Sequence, residues 1–267
     1  MTLRLLDTFS GIGGFSYAAE RIVGGFETVA FVEREPYCQQ ILSKHWPSVP
    51  IYDDITTFNP EPYSADVVCG GFPCQDISLA GKQAGIKEGT RSGLFYELMR
   101  VVCLVRPQYV VLENVSAIVT NGLDTVLAEL AEAGFDAEWA CIPASAVGAC
   151  HRRDRWWLIA YPQDMLSNDR TCQQQGQLGR QPLPKLGDSH WANIAYSSSK
   201  GLGRRWESRS TAHRLNPHWR QYVSEPVLCR GDDGLSGRVE RLKALGNAVV
   251  PQVAAIPLAR VRQLAGV

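Results

Sequence analysis

Apolar runs and helical periodicities alternate along most of the chain. Leu3–Phe9 is a short apolar run that breaks at Ser10-Gly11-Ile12-Gly13-Gly14, and Phe15–Val23 then carries apolar residues at helical spacing. Glu27–Glu33 reads as a second strand, followed by a helix over Pro36–His45 with proline well placed at its first turn. Asp66–Cys69 and Tyr109–Glu113 are buried-strand patterns, with a helical stretch, Leu94–Val105, between them. Leu123–Ala133 predicts another helix, and Asp136–Ile142 and Arg155–Tyr161 two more strands. Strands alternating with helices in this way predict an α/β fold whose mostly parallel sheet is covered by helices on both faces.

The pattern stops near Tyr161-Pro162. From there to Val239 the chain is rich in Gln, Gly, Ser, Arg and Pro, with Trp191, Trp206 and Trp219 but no sustained period. That is too long for a plain loop in a compact domain, and the tryptophans need somewhere to pack. The expectation is a small irregular second domain over 163–239. The segment RLKALGNAVVPQVAAIPLARVRQL regains helical spacing, so residues 240–267 return to the first domain, which otherwise spans 1–162.

Composition narrows the class. Of 267 residues, 45% are hydrophobic and 20% charged, which excludes disordered and fibrous chains. No window holds the roughly 18 consecutive apolar residues of a membrane span, and the N-terminus turns polar and Gly-rich too early for a signal peptide. Eight scattered cysteines without a secretion signal read as free thiols, so a soluble cytoplasmic protein with no membrane partner is expected. The formal net charge of zero conceals an asymmetry. Residues 163–239 hold eleven basic and seven acidic side chains, +4, against −4 over the rest, as expected where one part faces a polyanion.

Four places carry candidate chemistry. The glycines after the first strand permit a tight turn and close approach of a ligand to backbone N–H groups, and Glu33 ends the second strand where an acid can bond ribose hydroxyls. Ser16 stands where a dinucleotide fingerprint wants its last glycine, which disfavours a nicotinamide oxidoreductase. Cys74, in Gly70-Gly71-Phe72-Pro73-Cys74-Gln75, follows a strand and is a nucleophile candidate if positive charge lowers its pKa; a structural thiol is the alternative. Glu113 ends the next strand and would donate a proton if burial raised its pKa. Cys150-His151-Arg152-Arg153-Asp154-Arg155 places three arginines where they would bind phosphate or a base edge, or cap a sheet edge with solvated charge. For metal, only His213 and His218 share a ligand-like spacing, without a paired CxxC, so no metal is expected.

In this order the pieces DTFSGIGGFS, FVERE, DDIT, GGFPCQDIS, ENV, HRRDR and LGNAVVP closely resemble the C5-cytosine DNA methyltransferases of bacteria and phages. The resemblance implies a Rossmann-like, class I S-adenosylmethionine-dependent fold, with 163–239 as the target-recognition domain. It implies Cys74 as nucleophile on cytosine C6, Glu113 at the N3/N4 edge, and Arg155 with Arg153 as the remaining catalytic set. For S-adenosylmethionine it points to Phe9, Gly11, Gly13, Glu33, Arg34, Asp54, Ile55, Pro73 and Asn247. For double-stranded DNA the loop Gln75–Ser92, with Gln75, Ser78, Lys82 and Arg91, is the natural lid, and the basic segment, which carries no known signature, is expected to bring Arg204, Arg205, Arg209 and Arg220 to the DNA. His151, where the family usually has Gln, and Arg34, where an aromatic or apolar residue is commoner, depart from the pattern. A monomer in a bacterial or phage-infected cell is expected, since one active site handles one flipped base; a restriction endonuclease, where there is one, would be a functional rather than physical partner. A tRNA cytosine-C5 methyltransferase and a DNA-binding protein that has lost catalysis are the rival readings.

Overall fold

A computed structural model describes residues 1–73, 93–163 and 238–267. The expected second domain and the expected closing loop lie almost entirely outside these residues, as does Cys74.

Among the described residues the chain forms a seven-stranded sheet in the order β3-β2-β1-β4-β5-β7-β6. The strands are β1 (Leu3–Thr8), β2 (Phe26–Val32), β3 (Ile51–Tyr52), β4 (Val67–Gly71), β5 (Tyr109–Val115), β6 (Phe135–Pro143) and β7 (Asp154–Pro162). Five strands, β3 to β5 in sheet order, pair in parallel. β7 runs antiparallel to both of its neighbours, with Val115 opposite Arg155 and Ile142 also opposite Arg155. The sheet is therefore mixed at one end. An unbroken apolar run such as RWWLIAY looks the same in either direction, so the sequence pattern alone does not show the reversal.

Side-chain alternation sorts the sheet into two cores. Leu6, Val68, Val110, Leu112, Trp156 and Leu158 face the layer of α3 (Leu94–Val105) and α4 (Leu123–Glu132), where Phe95, Leu98, Val102 and Leu130 are buried. Leu5, Val67, Val111, Trp157 and Ile159 face the other way, onto Phe15, Ala18 and Ala19 and onto Val253, Leu258 and Val261 of α6 (Pro251–Leu264). Period-two alternation in consecutive residues such as Trp156 and Trp157 is what a sheet buried on both sides requires. The expectation of helices on both faces is met.

The first crossover departs from a regular helix. One α-helical turn, α1 (Gly14–Tyr17), continues as a π-helical stretch, Ala18–Val23. Glu20 in that stretch accepts the Thr28 backbone N–H and the indole N–H of Trp46, both at 2.9 Å, which ties it to β2 and to the end of α2 (Pro36–His45). The C-terminal segment is two helices, α5 (Arg238–Asn247) and α6, separated at Ala248-Val249-Val250 before Pro251. By length and composition 239–264 together could cross a membrane. The break leaves no helix of about 20 residues, and α6 buries its apolar side on the sheet.

Candidate active site

The carboxyl ends of the parallel strands converge on one cavity of about 770 Å³. In open α/β sheets this edge is where ligands bind, because successive loops splay apart there. Phe9, Glu33, Arg34, Asp54, Ile55, Pro73, Glu113, Arg153, Arg155 and Asn247, expected from the sequence at separate positions, all line it.

At one end of the cavity the loop after β1 is held open by local geometry. Phe9 has φ +50° and Gly11 +55°, left-handed conformations that turn the chain sharply. The Glu33 carboxylate accepts the Gly11 N–H at 2.6 Å and the Glu35 N–H at 2.7 Å, so it bridges the β1 and β2 loops. Asp54 accepts both the N–H and the hydroxyl of Thr56, which hold its carboxyl below the usual range and keep it ionised. Gly13 does not line this cavity. It has φ +82°, and a Cβ there would lie 2.7 Å from the Trp46 ring, so it is the floor of the turn rather than a wall of the cavity.

The other end is built by β4, β5 and the start of β7. The Glu113 side chain is nearly buried, and burial pushes its carboxyl up to about 7 even though the Arg155 guanidinium lies 3.1 Å away. Desolvation outweighs the charge of Arg155, which leaves an acid that can hold or release a proton near neutrality. Gly71 makes room for it, since a Cβ there would stand 3.0 Å from Glu113 Oε2. Gly70 is tighter still: its Cβ would meet Thr8 Oγ1 at 2.4 Å, and that hydroxyl donates to the Cys69 carbonyl. Arg153 turns the other way, donating to the carbonyls of Gly246 and Ala248.

Two contributors were not singled out from the sequence. Asn114 donates to the Phe72 carbonyl at 3.1 Å and accepts the Val115 N–H, fastening the end of β5 to the peptide that leads into Pro73 and Cys74. Its place between Glu113 and Val115 was the only signal. Lys243 of α5 pairs with Glu35 at 2.8 Å, and both line the cavity. Nothing local in the sequence announces a pair so far apart. Cys74, Gln75, Ser78, Lys82, Arg91, Arg204, Arg205, Arg209 and Arg220 lie outside the described residues.

Comparison with known proteins points the same way. The family model for C-5 cytosine-specific DNA methylase matches residues 3–214. The type II methyltransferase M.CviJI of Paramecium bursaria Chlorella virus IL3A is 34% identical over 168 residues, 61% of this chain and 44% of that protein. M.HhaI of Haemophilus parahaemolyticus is 32% identical over 168 residues, 61% of this chain and 50% of that protein. M.MspI of a Moraxella species is 29% identical over 243 residues, 89% of this chain and 51% of that protein. The matched part of this chain thus corresponds to about half the length of these relatives. Among solved structures, the Entamoeba histolytica methyltransferase EhMeth superposes with a TM-score of 0.52 at 17% identity, covering 60% of this chain and 53% of that one, a likeness of fold.

Proposed function

Because the chain belongs to the C-5 cytosine-specific DNA methylase family, we propose that it transfers a methyl group from S-adenosylmethionine to C5 of a cytosine flipped out of duplex DNA. The observation that carries this reading is a single cavity with two chemically distinct ends. One end has carboxylates and an aromatic ring suited to a nucleoside; the other has a carboxyl that burial pushes up to about 7, paired with Arg155.

The donor set fits the cofactor. Phe9 offers a ring face to adenine, Glu33 an acceptor for ribose hydroxyls, Asp54 and Ile55 an adenine edge, and Asn247 both a donor and an acceptor. Gly11 serves indirectly, through its N–H on Glu33. S-adenosylmethionine, when bound, supplies an electrophilic methyl group.

Cytosine C5 is a poor nucleophile, and the remaining residues remedy that. The Cys74 thiolate attacks C6, and the ring electrons displaced toward N3 are met there by a proton from Glu113. The resulting enamine carries its electron density on C5, which would take the methyl as the methyl–sulfur bond breaks and S-adenosylhomocysteine leaves. A base, with water the simplest candidate, removes the C5 proton; Cys74 then leaves by β-elimination and N3 returns its proton to Glu113. Arg155, bonded to Glu113, holds that carboxyl toward the base. Extrusion of the cytosine costs a few kcal/mol, which protein–DNA contacts must offset. The basic 163–239 segment and the Gln75–Ser92 loop are assigned that role.

The test is base-resolution sequencing of 5-methylcytosine in a methylation-free bacterial host expressing this chain, beside a Cys74→Ser control. Methylation at one short sequence, absent from the control, is the expected result. Unmethylated DNA with soluble protein present overturns the reading, and a methyl-acceptor assay on tRNA then examines the RNA branch.

A further inference from the structure

Arg153 is bound to the wrong partners for a residue that touches substrate. One of its terminal nitrogens, Nη2, donates to the Gly246 carbonyl at 2.9 Å and the Ala248 carbonyl at 2.7 Å. These carbonyls flank Asn247, which lines the cavity. Arg153 itself has φ +33°, a conformation that a residue with a Cβ holds only where its surroundings over-determine it. Its guanidinium is half-buried, and Arg155, two residues on, is the one that engages Glu113.

The geometry points to Arg153 as a positioning residue that fixes Asn247 in the cofactor cavity by clasping the carbonyl on either side of it. This rests on reading the cavity as the S-adenosylmethionine site. Charge-assisted bonds to carbonyls are among the stronger ones available to a side chain. Two of them, to carbonyls two residues apart at the C-terminal end of α5, define both the position and the direction of the residue between. The clasp also spans the basic segment, because position 153 precedes residues 164–237 and positions 246 and 248 follow them. It therefore joins two parts of the cavity that are far apart in the sequence. Arg153, expected from the sequence among the catalytic set with Arg155, is thereby given a role of its own.

Arg153→Met keeps the aliphatic stem and removes the donors; Arg153→Lys restores a cation with protons to give. Calorimetric binding of S-adenosylhomocysteine to the full chain should weaken at least tenfold in Arg153→Met and less in Arg153→Lys. Hydrogen exchange at the amides of 247–250 in the ligand-free protein should quicken in the same order. Asn247→Ala should itself weaken binding, and Arg153→Met should add less than a further twofold on that background, since both act through one side chain. Affinity in Arg153→Met within twofold of wild type, or a full additive loss on Asn247→Ala, overturns the inference. If Arg153→Met does not fold, as judged by its thermal melt, Arg153→Lys is put through the same cycle. A wild-type protein that does not bind S-adenosylhomocysteine sinks the cofactor reading and this role with it, whereas failure of the coupling alone sinks only the clasp.

Discussion

Asp7 is the most confined carboxyl near the cavity. It is fully buried at the end of β1, its Oδ2 accepts the N–H and hydroxyl of Ser16, and the buried Cys69 side chain also bonds to the carboxyl. Burial pushes its pKa from 3.8 to about 7, against the lowering effect of the Ser16 bonds. Between those values the native protein holds a proton that the unfolded chain has already released, so unfolding gives up a proton and rising pH favours it. The stabilisation is complete below about pH 4 and is lost as pH climbs to about 7, on the order of 4 kcal/mol over the interval. Glu113, also raised by burial, acts in the same direction. Asp7→Asn can still accept from Ser16 but no longer titrates. Urea unfolding across pH 4–8 should show a visibly shallower decline for Asp7→Asn than for wild type; parallel curves would mean that Asp7 is ionised throughout. At this scale the sequence was informative about chemistry and silent about environment. Glu33, Glu113 and Asn247 could be named from motif position, but whether a carboxyl is desolvated depends on residues far away in the chain.

Elements bring those residues together through close packing at glycines. Gly14 begins α1, and a Cβ there would lie 2.4 Å from Val249 Cγ2 and 3.2 Å from the Val249 carbonyl. The α5–α6 link is thus seated directly on the glycine turn. Gly14→Ala must push that link outward, at a cost of about 1–3 kcal/mol for overpacking. Gly24→Ala is the comparison: φ is +75° with ψ 164°, a conformation essentially reserved for glycine, but nothing among the described residues lies within 4 Å, so the cost is backbone strain alone, about 1–3 kcal/mol. Thermal melts of the two variants, with S-adenosylhomocysteine affinity measured alongside, should show Gly14→Ala losing both stability and affinity and Gly24→Ala losing stability alone. Equal affinity loss would mean that the link does not shape the cavity. Existence and type of most elements were legible in the sequence, with ends shifted by a residue or two. The two-residue β3 is too short to produce a period, the π-helical stretch depends on packing against α6, and the direction of β7 is set by its neighbours rather than by its composition.

Across the whole molecule, charge divides along the sequence where the expected domains divide, with +4 in 163–239. If Arg204 and Arg205 meet phosphates, each releases counterions on binding, and log K falls with log salt by about 0.9 per contact. The Arg204→Ala/Arg205→Ala double variant should then reduce the magnitude of that slope by close to 2 in a titration with duplex DNA between 50 and 200 mM salt. An unchanged slope would place both arginines away from the backbone. The α/β frame and the end of the cavity built by the loops after β1 and β2 were legible because strands and motif loops follow one another locally. The clasp of Arg153 and the pair of Lys243 with Glu35 were not, because they join residues brought close only by the finished fold.

α6 covers β1, β5 and β7 on the face opposite α3 and is the last described element of the chain. During synthesis, therefore, the strands emerge with one face ready to be covered and the other waiting for a helix that the ribosome has not yet made. Until then Leu5, Val67, Val111, Trp157 and Ile159 lack that cover. A chain that stalls before residue 251 would present this half-covered sheet to chaperones and proteases. Protection of that face of the nascent chain thus arrives only with the helix that follows every strand in sequence.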